Sequence, residues 1–243
     1  MNFSRLSFIF FLAVNLSFAQ DQKLQFELSV GPSLSVPKTS RLSRGNRING
    51  EPTLKSSTNV GAFVLTGFNY RLDKKWSVNL GLGYHLDRST ITYTSGTFRS
   101  KGNRNLSYAQ VPINFNYHFK NDRSYQLGIG GFAGLLLFAR EKGTADVSYT
   151  NDNFNSPTDD PDFTRDESME YDTDVSEKFN TVSFGAFFQL KKTLTFFNKT
   201  EGFLLVRINQ YLNSIKGVDG DLSQYVNDEK EPTTINLGIG VRL

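Results

Sequence analysis

Between Lys74 and Asp87 the chain reads KKWSVNLGLGYHLD, and apolar and polar residues alternate through it almost without a break. Trp76, Val78, Leu80, Leu82, Tyr84 and Leu86 share one parity, while Ser77, Asn79, Gly81, Gly83 and His85 share the other. A strand sends successive side chains to opposite faces, so this spacing predicts a β-strand with one large apolar face and one small, polar face. Beyond the N-terminal leader no apolar run approaches the roughly 20 residues of a spanning helix. A membrane form of this chain must therefore be built from strands closed into a barrel, which satisfies every backbone group internally.

The period-2 pattern occurs eight times: at 24–36, 59–72, 76–86, 107–119, 125–138, 181–190, 203–212 and 233–243. Short connections at 72–75, 120–123 and 191–202 alternate with long polar ones at 37–58, 87–104, 141–178 and 213–232. That layout predicts an all-β, eight-stranded antiparallel up-and-down transmembrane β-barrel with long outer loops and short periplasmic turns. Ahead of it, one positive charge, the apolar run Leu6–Val14 and Ser17-Phe18-Ala19 read as a secretory signal peptide over residues 1–19. The domain plan is thus a cleaved leader at 1–19 and a barrel at 20–243. The chain has no cysteine, so an exported form is stable without disulfides.

Alternation does not say which face is wet, but the polar face does. A water-exposed exterior carries many charges. Here the polar parity of the first, third and eighth segments is mostly Gly, Ser, Asn and Gln, with Glu27 and Arg242 as its charges. Small neutral groups suit the filled lumen of an eight-stranded barrel. The apolar face then meets lipid. Tyr70, Trp76, Tyr117, Phe119 and Tyr125 flank two short turns, where an interfacial aromatic girdle belongs. The alternative, a soluble lipocalin-like binder, requires the same strands to be turned inside out.

The stretches SYAQVPINFNYHF, GIGGFAGLLL, RINQYLNSIKG and the terminal TINLGIGVRL resemble the PorT-like outer-membrane β-barrel domain family across the span that follows the leader. The resemblance implies a barrel in the outer membrane of a Gram-negative bacterium. It also implies, for some members, service in type IX secretion or gliding. Many such proteins end in an aromatic residue, whereas this chain ends in Leu243.

Catalytic chemistry has one candidate, His85, with Asp87 two residues on. Its parity is inward and its place in the segment is near the expected outer rim. The alternative functional reading is therefore a lipid-directed outer-membrane hydrolase using His85. A nucleophilic mechanism also needs a hydroxyl or thiol in reach of the base, and a lone luminal histidine bonded to neighbours is the blander expectation. GIGGFA at 128–133 matches a dinucleotide fingerprint in form. That fingerprint needs a helix to follow it, and here more strand follows. No cofactor and no metal site are expected.

Charge placement says more. Glu27, Arg71 and Arg242 have inward parity near the periplasmic end, and Arg207 on the seventh segment could extend the group. A buried charge demands a partner, so these four predict a luminal cluster that plugs the barrel. Eight strands leave no aqueous channel for bulk solutes. From Glu141 to Glu177 there are twelve acids against Lys142 and Arg165. Asp159, Asp160, Asp162, Asp166, Glu167, Glu170, Asp172 and Asp174 form the core of this acidic loop, which could bind a partner or, less specifically, Ca²⁺ without EF-hand spacing. Loops 37–58 and 87–104 are basic. Opposite charges on neighbouring loops could fold them together or recruit an envelope or surface protein. The formal net charge of +3 is too small to imply nucleic acid. The sequence thus predicts a monomeric, non-enzymatic barrel in outer-membrane lipid that works through loops 37–58, 87–104 and 141–178.

Overall fold

The computed structural model describes residues 23–39, 53–119, 124–150, 164–195, 201–213 and 229–243. Among these residues nine strands form one antiparallel sheet: β1 (Leu24–Thr39), β2 (Thr53–Arg71), β3 (Trp76–Ser95), β4 (Phe98–Phe119), β5 (Tyr125–Thr150), β6 (Thr164–Asp174), β7 (Val182–Thr195), β8 (Glu201–Tyr211) and β9 (Glu229–Arg242). The ring runs β1–β2–β3–β4–β5–β7–β8–β9 and closes where β9 pairs with β1. β6 lies outside that count, on the outer half of β5. β5 holds β7 along Tyr125–Leu135 and β6 along Arg140–Thr150, so β6 and β7 occupy one path in succession. The eight-stranded ring is therefore the expected one, with its sixth path broken into two strands.

The break has a simple count. Between the pairs Arg140–Asp174 and Leu135–Val182, β5 supplies residues 136–139 and the opposite path supplies 175–181. The surplus residues leave the ladder and curl into a 3-10 turn at Ser176–Lys178. Ala139 and this turn are tied together: Val175 N–H donates to the Ala139 carbonyl at 2.9 Å, and Ala139 N–H donates to Ser176 Oγ at 2.9 Å. The excursion carries Val175 and Phe179 inward, where they are buried with Tyr108, Phe132, Phe187 and Tyr211.

Burial is inverted relative to a soluble domain. Leu80, Leu82, Ile113, Phe115, Ile129, Phe184 and Ile239 are exposed on the outer surface, while Asn79, Asn114, Asn116, Gln126, Gln189, Asn209 and Asn236 are buried inside. An exposed apolar belt around a polar interior is the solution for a barrel in lipid. No helix among the described residues is long and apolar enough to cross a membrane. Large luminal rings fit because glycine faces them. A Cβ added at Gly240 would lie 2.7 Å from Cε2 of Phe203 and 2.6 Å from the Leu28 carbonyl oxygen.

The strands outrun the membrane. β4 has 22 residues and β5 has 26, whereas about 9–11 tilted residues cross the hydrocarbon core. The segment 87–104, expected as a loop, is instead a hairpin: β3 and β4 stay paired from Leu86–Ser107 out to Ser95–Phe98. Gly96 sits at its tip with φ 55°, a left-handed conformation that suits glycine. The described parts of 141–178 are strand as well, apart from the 3-10 turn. In 37–58, residues 53–58 are the outer part of β2, and 40–52 lie outside the described residues, as do most of 213–232, the turn 120–123 and the leader 1–19.

Candidate functional site

Two places concentrate charge: the inner lumen and the sheet above the barrel. The luminal group starts from Glu27, directly opposite Arg242 in the β1–β9 ladder. Inward parity on both strands makes them face one another inside the ring. Arg242 Nε donates to Glu27 Oε1 at 2.9 Å. Lys191 Nζ pairs with Glu27 Oε2, and Asn79 Nδ2 donates to the same oxygen at 3.2 Å. Arg242 also donates from Nη2 to Gln126 Oε1 at 2.8 Å and from Nη1 to Thr193 Oγ1 at 3.1 Å. One carboxylate thus gathers β1, β3, β7 and β9, and through Arg242 reaches β5.

Of the four residues expected there, the structure brings Glu27 and Arg242 into contact. Arg71 is half-buried at the inner end of β2, across from Ser77, and the two ion pairs of Glu27 go to Lys191 and Arg242 instead. Arg207 is buried in the lumen but turns to other partners: Nε donates to Asn209 Oδ1 at 2.9 Å, and its guanidinium lies 3.4 Å from the centre of the Phe187 ring. Lys191 is the residue that the sequence reading missed. It falls at the boundary assigned to a turn, but β7 continues to Thr195. Its parity is that of Phe187 and Gln189, so extending the strand by a few residues would have placed it inside.

The next layer outward is polar and aromatic. Tyr211 OH donates to Asp87 Oδ2 at 2.8 Å and accepts from Gln110 Nε2 at 3.2 Å. His85 is fully buried and stacked on Phe63 with ring centres 5.8 Å apart. Neither of its ring nitrogens has a hydrogen-bond partner among the described residues. Because β3 continues from Leu86 to Ser95, His85 lies within the lumen, well short of the rim where the sequence reading put it. A general base needs a nucleophile's proton within hydrogen-bond reach, and among the described residues none reaches His85. His118 lies apart, near the short-turn end, with Nε2 3.0 Å from Ser77 Oγ.

At that same end, Trp76 and Tyr117 meet edge-on with centres 5.0 Å apart, and Tyr117 meets Phe119 at 5.1 Å. Tyr70, Trp76 and Phe119 are exposed, Tyr117 and Tyr125 half-buried, and Lys192 lies over the Tyr125 ring. These are the five aromatics expected of a girdle, set beside the short turns.

The outer charged group is a sheet. Arg140 Nε pairs with Asp172 at 2.6 Å, and Arg104 Nε pairs with Glu141 at 2.5 Å. Asp174 Oδ1 accepts from Ser176 N–H at 2.8 Å, and its bonds to Ser176 hold its carboxyl below the ordinary range. Glu170, Asp172 and Asp174 share one face of β6, and Glu167 lies on the other. Successive same-face residues on a strand are nearly 7 Å apart, which spreads carboxylates along a line rather than around an ion. Among the described residues no three His, Cys, Asp or Glu converge as metal ligands. Asp159, Asp160 and Asp162 lie outside the described residues; Asp166 is placed on β6 opposite Ser148 by its backbone alone.

A closed antiparallel ring with lipid-facing apolar strands and a polar, ion-paired interior decides the class. Residues 18–217 match the outer membrane protein beta-barrel domain family. The chain belongs to that family. Among solved structures, this outer-membrane barrel is similar to the attachment invasion locus protein Ail of Yersinia pestis, at 14% identity, covering 91% of this chain and 100% of that one with a TM-score of 0.40. It is similar also to OprG from Pseudomonas aeruginosa, at 13% identity over 90% and 95% of the two chains with a TM-score of 0.33. Likeness this distant adds nothing to what the strand order already establishes. No curated protein matches the chain at a significant level.

Proposed function

We propose that this protein is a monomeric, non-enzymatic, PorT-like barrel that docks an envelope or surface protein on the sheet it raises above the outer membrane. The observation that carries the reading is β6. It pairs with β5 on one side, and among the described residues no strand pairs with its other side. An open edge offers a row of backbone donors and acceptors to an incoming strand. Glu170, Asp172 and Asp174 line one face of that edge, which favours an extended partner segment rich in Lys and Arg. The lumen supports the non-transport side of the proposal, since an ion-paired plug spans its inner end. Export with removal of residues 1–19 belongs to the same proposal.

The test is purification of the tagged native protein from envelopes in mild detergent, beside a variant lacking residues 147–170. A stoichiometric partner present with the full chain and lost with the deletion supports docking at β6. A barrel that purifies alone, or a partner retained by the variant, overturns it.

A further inference from the structure

The inward residues of β8 run Phe203, Leu205, Arg207, Asn209, Tyr211, placing a guanidinium in the middle of the lumen. Arg207 is 2% exposed. Its Nε is used by Asn209, the face of its guanidinium by the Phe187 ring, and its Nη2 is buried with no acceptor among the described residues. Gln189, directly across the β7–β8 ladder, turns its amide Nε2 to Asn116 Oδ1 at 3.0 Å. The next inward residue of β7 is another cation, Lys191.

The carboxylates nearby are bonded to other groups. Both oxygens of Glu27 are engaged, Oε1 by Arg242 and Oε2 by Lys191 and Asn79. Glu201, at the rim, stands 3.7 Å from Arg242 Nη1. Asp87, in the layer farther out, accepts from Tyr211 on Oδ2, while its Oδ1 is buried without a hydrogen-bond partner among the described residues. Lys191 and Arg242 thus share Glu27, and Arg207 has no carboxylate partner among the described residues. A guanidinium cannot shed its proton in a protein, so this charge persists inside a ring surrounded by lipid. Leaving it uncompensated there is costly.

A small cavity adjoins it. Its lining includes Glu27, Asn79, Gln189, Lys191 and Arg207, with the hydroxyls of Ser29 and Thr66, and its volume is about 20 Å³. One water needs roughly 10–15 Å³ on that measure, so the cavity admits a single small species and no polyatomic anion with a substituent. Water would accept a hydrogen bond from Arg207 but would leave its charge uncancelled.

We propose that this cavity is a halide site, in which one monatomic anion, chloride in the native envelope, sits between the Arg207 guanidinium and the Lys191 ammonium. The anion accepts from Arg207 and from Lys191 protons not given to Glu27. It completes the charge balance of the lumen and makes the folded barrel depend on a permeant anion, by the linkage that any ligand of the folded state produces.

The experiment uses the full chain folded in detergent, with unfolding temperature followed as sodium chloride is replaced by sodium gluconate at constant ionic strength. Gluconate is too large for the cavity. The wild-type midpoint should rise by several degrees and saturate with chloride, and Arg207→Gln should lose that dependence. Equal wild-type midpoints in the two salts, or a full chloride response in Arg207→Gln, would overturn the site. Should the variant fail to fold, wild-type crystals grown in bromide carry the test. An anomalous peak between Arg207 and Lys191 supports the site, and water alone at that position rejects it.

Discussion

Glu27 and Arg242 meet across the seam that closes the ring, 215 positions apart in the chain, with Arg242 Nε 2.9 Å from Glu27 Oε1. Lys191 completes the pair from the opposite arc of the lumen. Removing the carboxylate alone leaves two cations facing one another in a buried interior. Loss of one partner from a buried pair costs about 3–5 kcal/mol, so Glu27→Gln should lower stability by at least the lower end of that range. Urea unfolding in lipid vesicles measures it. Glu27→Leu combined with Lys191→Met should recover part of the loss, since apolar replacement of a buried pair is often tolerated. A Glu27→Gln variant as stable as the parent would mean that the cluster is hydrated rather than dry.

Gly240 faces Phe203 across the β8–β9 ladder. A side chain there would collide with the ring and with the Leu28 backbone, and backbone cannot yield as a side-chain tip can. Gly240→Val should therefore cost about 1–3 kcal/mol or more, the usual range for overpacking. Gly240→Val with Phe203→Ala should regain only the part due to the ring. Heat-dependent migration of the folded barrel in gels reads both.

Asp73 fastens the β2–β3 turn. Its Oδ1 accepts from Lys75 N–H at 2.6 Å and from Trp76 N–H at 2.8 Å. These two bonds, that from Lys75 first, hold the carboxyl below its ordinary value. A carboxylate depressed in the folded state stabilises above its unfolded pKa, and that contribution is lost as pH falls through the folded value. The stability difference between wild type and Asp73→Ala should thus be flat at neutral pH and shrink below about pH 4, the ordinary aspartate range. A difference that vanished nearer neutrality would assign the effect to another group.

How much of this was legible follows from where lipid is. Inside the membrane one face of each strand meets hydrocarbon, so parity is enforced and places Glu27, Arg207 and Arg242 inward from sequence alone. Above it neither face meets hydrocarbon, and TITYTSGTFRSKGNRN carries no continuous apolar stripe, which is why the paired ends of β3 and β4 read as a loop. The same loss of contrast hid β6. Lys191 was missed for a related reason: a double lysine reads as a strand end, although the ladder runs on past it. The surplus at 175–181 is invisible to periodicity altogether, since it depends on counting residues against β5.

That surplus makes the last prediction. Val175 and Phe179 are buried against Tyr108, Phe132 and Tyr211 at the outer part of the lumen, and Arg104 lies over the Phe179 ring at 5.0 Å. Truncating a buried phenylalanine costs about 3–5 kcal/mol. Here the neighbours on one side belong to a short excursion held by the bonds between Val175, Ser176 and Ala139, so the loss should be partly local. Phe179→Ala should speed hydrogen exchange at the Val175 and Ala139 amides well beyond any change at Arg71 or His118 beside the short turns. With the proposed plug at Glu27 left intact farther in, conductance in planar bilayers should stay closed. Uniform acceleration along every strand would show instead that the ring opens as one unit, and an open conductance would show that Phe179 rather than Glu27 is the seal.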